Sequence, residues 1–452
     1  MVKLPVFIPG CISKNIGVSI ISSLLLMTAG NTFAETDTRE GIFNPEVHSV
    51  VMRNPDNLMA PPVIRLGTND RLTLNFDILG DAHDYLRCRL LHCNADWTPS
   101  RLLESEYVDG FNEDRLEDYA YSSNTYIHYV NYNITIPNEN LPIIASGNYL
   151  LQVFPEDNPD DILLQTRFSV SENTAVIQPS VSTRTDRGFN TEWQQIDMNL
   201  DLGNLPGINP YQDLIITVTQ NNRPETTHVT THPLRIEAGK AVFQHDPNLI
   251  FPAVNEYRRF ETVRVDYPGM SVDSVVFGPS SWHAWIATDE PRYDKSYIYD
   301  STQHGRFVID EYNASDPDLG ADYVAVHFTL DSPEIPGADV YVDGDFNLHR
   351  FDRRNKMTYN HDKGQYIASI PLKQGSYNYQ YVCIPNSGNQ KSSNETNGGN
   401  SAGNRPVNYP AADPSVIEGN FYETQNEYLI KAFLRLPGSR ADRLIGTAIC
   451  TK

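Results

Sequence analysis

The chain has little of what marks a helical, membrane-spanning or catalytic protein. Apolar residues almost never recur at helical spacing, so only short helices are predicted, around residues 102–106 or 112–119. Beyond the first 34 residues no segment is apolar enough to cross a bilayer as a helix. Cysteine is scarce: five in 452 residues, with Cys88, Cys93, Cys383 and Cys450 following the N-terminal segment. Cys88 and Cys93 stand an odd number of positions apart and would face opposite sides of one strand, so no disulfide framework is predicted and buried free thiols are expected. There is no strand-to-helix nucleophile elbow, no Gly-rich phosphate loop before a helix, no Cys-x-x-Cys pair and no His-Glu-x-x-His helix. Basic residues are also in short supply, 35 against 57 acidic ones. Such a chain repels nucleic acid and anionic lipid headgroups, and acidity is an ordinary route to solubility.

What is present begins with an export signal. Lys3 and Lys14 precede or flank an apolar run over residues 16–28, and Thr32-Phe33-Ala34 places small residues where a signal peptidase reads. Cleavage after Ala34 is expected. It removes two basic and no acidic residues, leaving 33 basic against 57 acidic and a net charge of −24. Cys11 lies before the apolar run, so no lipid-attachment cysteine survives cleavage. Period-two alternation dominates the remainder. Ile196, Met198, Leu200 and Leu202 share one face, as do Val324, Val326, Phe328 and Leu330, and Tyr377, Tyr379, Tyr381 and Cys383. Gly, Pro, Asn and Asp interrupt these runs at short intervals, which predicts antiparallel β-sandwiches. The length suggests several cores. Breaks near residues 172 and 316 give three consecutive immunoglobulin/E-set-like sandwiches over 35–172, 173–316 and 317–452. Residues 386–408, rich in Asn, Gly and Ser, read as a long disordered loop inside the third, with 428–449 as its closing strands.

Several constellations invite a chemical reading. His92, Cys93, Asp96 and His128 include metal-ligating types, but adjacent His92 and Cys93 point apart on a strand, whereas zinc needs about four converging ligands. The plainer reading is a tight strand-to-loop junction in which Asn94 and Asp96 bond nearby backbone and Trp97 fills a hole. Asp343-Gly-Asp345-Phe-Asn347 opens like a calcium loop, yet Leu348 and Arg354 stand where that loop needs Gly and Glu, so a turn is expected. Trp282-His-Ala-Trp285 reads as core or edge packing in preference to a contact patch. No catalytic, cofactor or metal residue is assigned, and no enzymatic activity is expected.

Residues 85–149 carry a more specific signal: His92-Cys93-Asn94-Ala95-Asp96-Trp97, Pro99-Ser100, Tyr107-Val108-Asp109-Gly110-Phe111, Ser123-Asn124-Thr125, Tyr129, Ile136-Pro137-Asn138-Glu139 and Ser146-Gly147-Asn148-Tyr149. Further on stand Asp289-Glu-Pro-Arg292, Gly305-Arg-Phe307, the run from Ile417 to Tyr428, and Asp442-Arg443-Leu444-Ile445-Gly446. In these motifs the chain resembles, over nearly its whole mature length, the plug protein family of the type IX secretion system. That resemblance implies a periplasmic protein, peripheral to the outer membrane, that docks on a large outer-membrane translocon β-barrel and closes its periplasmic mouth. Other secretion subunits are implied as further partners. The motif residues read as turn and core positions, so no barrel contact is carried over.

Residues 339–383 separately resemble glycogen-binding-type sandwich modules, through Val340-Tyr-Val-Asp-Gly-Asp-Phe346-Asn347 and Gly375-Ser-Tyr-Asn-Tyr379-Gln-Tyr381. Those modules stack sugars on a tryptophan after the Phe-Asn pair. Leu348-His349 stand there instead, which limits this likeness to the fold. A periplasmic or surface glycan-binding protein is the alternative function; an exposed aromatic platform on the third sandwich would favour it.

Overall fold

Side-chain alternation becomes strand geometry throughout the computed structural model, which describes residues 37–203, 205, 207–386 and 409–452. The predicted signal and all but the first residue of the 386–408 loop lie outside these. Strand Tyr323–Leu330 buries Val324, Val326, Phe328 and Leu330, and Trp193–Asp201 buries Ile196, Met198 and Leu200. Each such side chain contributes about 1.5–3 kcal/mol on leaving water. Among the described residues, helix is confined to single turns such as Pro317–Gly320 and Ser415–Glu418. Of the two short helices considered, Glu104–Glu106 is one 3-10 turn. The stretch 112–119 instead supplies strand Asp114–Arg115 and the start of Asp118–Tyr121, each drawn into an edge by a neighbouring strand.

The first sandwich closes around Leu72, Leu74, Phe76, Leu90, Tyr132, Leu151 and Phe168. One sheet runs Gly41–Ile42, Leu164–Ser171, Gly147–Pro155, Leu86–Cys93, Asp114–Arg115, with Val63–Arg65 parallel to Leu164–Ser171. The other runs Val47–Arg53, Leu72–Leu79, Tyr129–Ile136, Asp118–Tyr121.

The middle sandwich departs from a consecutive arrangement. Its first sheet runs Val176–Ser182, Trp193–Asp201, Lys240–Phe243, Arg235–Glu237. Its second takes His228–Thr230 and Leu214–Gln220 from the same region and completes itself with Glu427–Leu434 and Arg443–Thr451. Tyr428, Ile430, Ala432 and Leu434 pack against Ile196, Met198 and Leu200. The strands expected to close the third sandwich therefore close the middle one. Alternation shows that a strand has one apolar face but not which partner covers it.

The third sandwich is inserted between these parts. Arg258–Glu261, Gly375–Pro385 and Phe307–Ile309 form one sheet, with Ala338–Asp343 also on Gly375–Pro385. Val272–Phe277, Trp282–Ile286, Tyr323–Leu330, Gln365–Lys373 and Thr358–Asn360 form the other. Trp282–Ile286 pairs in parallel with Tyr323–Leu330, so the break expected near residue 316 falls inside one sheet. The polar stretch that suggested it is a loop ending in the Pro317–Gly320 turn. Ile430→Ala, in the core of the middle sandwich, is expected to cost about 2–5 kcal/mol in chemical denaturation; an unchanged midpoint would contradict this topology.

Candidate functional site

Three of the segments quoted for the family resemblance, 92–97, 146–149 and 442–446, are far apart in sequence and meet at the joint between the first and middle sandwiches. Strand Leu86–Cys93 ends in a tight turn. Trp97 adopts φ 65° and its N–H donates to Asn94 O at 3.0 Å. Asp96 Oδ1 accepts from Thr98 N–H at 3.0 Å and from Thr98 Oγ1 at 2.6 Å. This turn grips Asp442: Ala95 N–H donates to Asp442 Oδ2 at 2.9 Å, and Asp442 N–H donates to Asn94 Oδ1 at 3.2 Å. Arg435 holds the same carboxylate at 2.6 Å. Ala95 also packs with Ile215, Phe433 and Leu444 in a small apolar cluster.

Around this clasp the other motif residues take structural roles. His92 Nε2 donates to Ser146 O at 3.0 Å, and burial lowers the imidazole pKa, which keeps the ring neutral. Gly147, at φ +147°, is required twice over: a Cβ there would lie 2.4 Å from His92 Nε2. Ser146 Oγ donates to Glu172, which pairs with Arg443 at 2.7 Å. Trp97 carries two cations, the Arg167 guanidinium 4.1 Å and the Lys431 ammonium 5.2 Å from its ring centre. Lys431 Nζ donates to Ser169 Oγ at 2.8 Å, and burial together with Arg167 lowers its pKa to about 7.

The first and third sandwiches meet on a buried ion pair. Asp77 and Lys373 are 2.7 Å apart and almost wholly buried. Asp77 also accepts from Tyr323 OH at 2.6 Å and from Asn131 Nδ2 at 2.8 Å, while Lys373 donates to Asp318 O and lies 4.1 Å from the Tyr129 ring centre. Beside them Asp322 accepts the N–H groups of Tyr126 and Ile127 at 2.8 and 3.0 Å, seating the Ser123-Asn124-Thr125 loop.

Further buried charges lie within the third sandwich and, at Arg306–Glu427 and Arg223–Asp343, between it and the middle one. Glu418 binds Arg258 at 3.0 Å and Arg292 at 2.7 Å; although burial favours the neutral acid, the arginines hold it below its ordinary pKa. Arg306 pairs with Glu427 at 2.5 Å. Arg223, buried, lies 2.7 Å from Glu225 and 3.8 Å from Asp343. His349 is clamped at 2.9 Å by Asp343 and at 2.9 Å by Asp345. Burial opposes its charge, but the two carboxylates outweigh it and raise its pKa well above the ordinary value. The imidazolium thus fills the turn that resembled a calcium loop.

The sequence candidates do not converge. His92 is buried in the joint, His128 is exposed and bonded to Asp81 at 2.6 Å, and Cys93 is a buried free thiol whose pKa burial pushes up to about 12. Among the described residues no three His, Cys, Asp or Glu side chains are grouped to hold a metal. Cys88 and Cys383 are also free and buried, and Cys450 is free. Trp282 packs partly on the third core, whereas Trp285 is 40 % exposed, with the His327 and His283 rings 4.6 and 5.8 Å away. Asp77 carries no sequence signal of its role, since it is one of the polar residues alternating with Leu72, Leu74, Phe76 and Ile78.

Over residues 47–172 the chain matches the family model described as the type 9 secretion system plug protein 1st domain. Among solved structures it is similar to a hypothetical protein from Parabacteroides merdae ATCC 43184, at 36 % identity and a TM-score of 0.85, covering 92 % of this chain and 99 % of that one. A Pseudomonas fluorescens alkylpurine DNA glycosylase, AlkC, is 12 % identical over 28 % of this chain and 30 % of its own, with a TM-score of 0.17 that carries no argument. No curated protein matches.

Lys431 supplies a pH test of the first joint. Its folded pKa lies below the 10.5 of an exposed lysine, so the unfolded chain binds the extra proton between those values and stability rises with pH there. Lys431→Met is therefore expected to stabilise the chain most below about pH 7, with the gain shrinking towards pH 10.5. Denaturation midpoints with a pH-independent difference would refute this.

Proposed function

Because this chain belongs to the type 9 secretion system plug protein family, we propose that it is a periplasmic subunit that docks on the outer-membrane translocon barrel of that system and seals its periplasmic opening. The observation that carries the reading is the set of buried, charge-locked joints between the sandwiches. A body blocking a wide channel must resist deformation, and sandwiches joined through buried charge pairs such as Asp77–Lys373 and Arg306–Glu427 and through the buried Ala95–Asp442 hydrogen bond cannot slide or hinge without exposing or orphaning those groups. Release on demand calls for a moderate, polar interface in place of a large apolar one. No helix among the described residues is long and apolar enough to cross a membrane, which suits delivery as a peripheral component. The role requires no catalytic step, and we propose that the chain performs none.

Glycan binding is the second reading, and Trp285 is the observation that favours it. This exposed indole, flanked by two imidazoles on the third sandwich, offers a flat face on which a sugar ring can stack. The position where glycogen-binding-type modules place their tryptophan gives no such support, since His349 there is buried between two carboxylates.

Affinity purification of the tagged chain from detergent-solubilised outer membranes distinguishes the two. Stoichiometric co-elution of a very large β-barrel is expected. Recovery of the chain alone in mild detergent and low salt would sink the docking reading, and glycan retention lost on Trp285→Ala would replace it.

A further inference from the structure

Against a net charge of −22, one open groove stands out by its sign. It encloses 720 Å³ beside the N-terminal strand of the first sandwich and the 349–354 loop of the third, and Arg39, Arg350, Arg353 and Arg354 line it. Among the described residues, Asp37 and Asp352 pair with three of these four guanidinium groups. Asp37 pairs with Arg39 at 2.8 Å and with Arg350 at 3.3 Å, and Asp352 pairs with Arg354 at 2.6 Å. Arg353 is exposed and makes no ion pair among the described residues.

The groove is built, not merely populated. Arg350 Nη1 donates to Glu40 O at 2.8 Å, and its guanidinium lies 5.2 Å from the Phe43 ring centre. Gly41 leaves room for it, since a Cβ there would stand 2.6 Å from Arg350 Nη1. Arg354 Nη2 donates to Ile42 O at 3.2 Å. Backbone carbonyls and a ring thus hold these planar, fork-shaped donors in place before any ligand arrives, which cuts the ordering cost of binding.

We propose that this groove is a docking site for an acidic, protruding turn of a protein partner, whose carboxylates take the guanidinium forks. The inference rests on the barrel-docking reading and assigns the acidic turn to the periplasmic side of that barrel. Charge complementarity selects a carboxylate-bearing segment. The groove's concavity suits a protruding loop over a flat lipid surface, and the acidity of the whole chain opposes anionic headgroups. Residues 387–408, which precede Tyr409 at the groove's edge, do not complement it, carrying Lys391 and Arg405 against Glu395 alone.

The test titrates the detergent-solubilised translocon barrel against the full chain, Arg353→Glu, Arg353→Glu/Arg354→Glu, and the distant control Arg235→Glu, at low and high salt. Arg353→Glu removes no internal ion pair, so it keeps the test valid if the double variant folds poorly. The expected result is about tenfold weaker binding or more for the double variant and a smaller loss for Arg353→Glu. Arg235→Glu should leave binding unchanged, and wild-type affinity should fall with salt. Equal binding by wild type and variants overturns the groove while leaving barrel docking intact; absence of wild-type binding overturns both. Charge-dependent binding of wild type to phosphatidylethanolamine/phosphatidylglycerol vesicles, or a dimer in light scattering that the double variant abolishes, overturns the proposal in favour of a lipid surface or a second copy.

Discussion

A carboxylate removed from water must keep its cation. Asp77 and Lys373 come from different sandwiches and are both almost wholly buried. Removing one partner of such a pair typically costs about 3–5 kcal/mol, because the other charge remains desolvated. The same constraint recurs where Arg306 of the third sandwich meets Glu427 of the middle one, while Asp442, paired with Arg435 of its own hairpin, would lose the buried Ala95 N–H of the first sandwich. Separating two sandwiches would expose half of each arrangement, so the interfaces favour a single joined state over a chain of loosely tethered domains. The interdigitated chain path adds to this, since the middle sandwich is finished only after the third has been threaded through it.

This constraint explains why the family-like motifs are structural yet far apart. Their turn residues shape one side of a clasp, and Asp442 and Arg443 supply the other. A molecule whose recognisable residues hold its own parts together presents a rigid surface whose binding residues lie elsewhere. That suits the proposed role of blocking an opening, and it is why the Arg39–Arg354 groove and Trp285 are better places to look for partners than the motifs themselves.

Much of the architecture was legible from residue alternation and turn chemistry. Strands such as Trp193–Asp201 and Tyr323–Leu330 follow directly from their apolar faces, and Asn94 and Asp96 were recognisable as turn-formers. The partners were not legible. Glu427–Leu434 has the alternation of any half-buried strand, and only pairing with Leu214–Gln220 places it in the middle sandwich. Asp77 sits on the polar face of Leu72–Leu79, and nothing local reveals that Lys373 and Tyr323 of another sandwich cover it. The Asp343–Asn347 run looked like a cation loop without its last ligands; the missing element was His349, six residues on, which supplies the positive charge itself.

The central claim is that buried charges make the sandwiches one cooperative body. Scanning calorimetry of the mature chain at neutral pH, compared with unfolding followed by near-ultraviolet circular dichroism, addresses it most directly. The account predicts one transition, coincident in both probes, with the calorimetric enthalpy equal to the van't Hoff enthalpy. Two or three separable transitions would mean that the sandwiches unfold independently and that the buried joints do not bind them into a single unit.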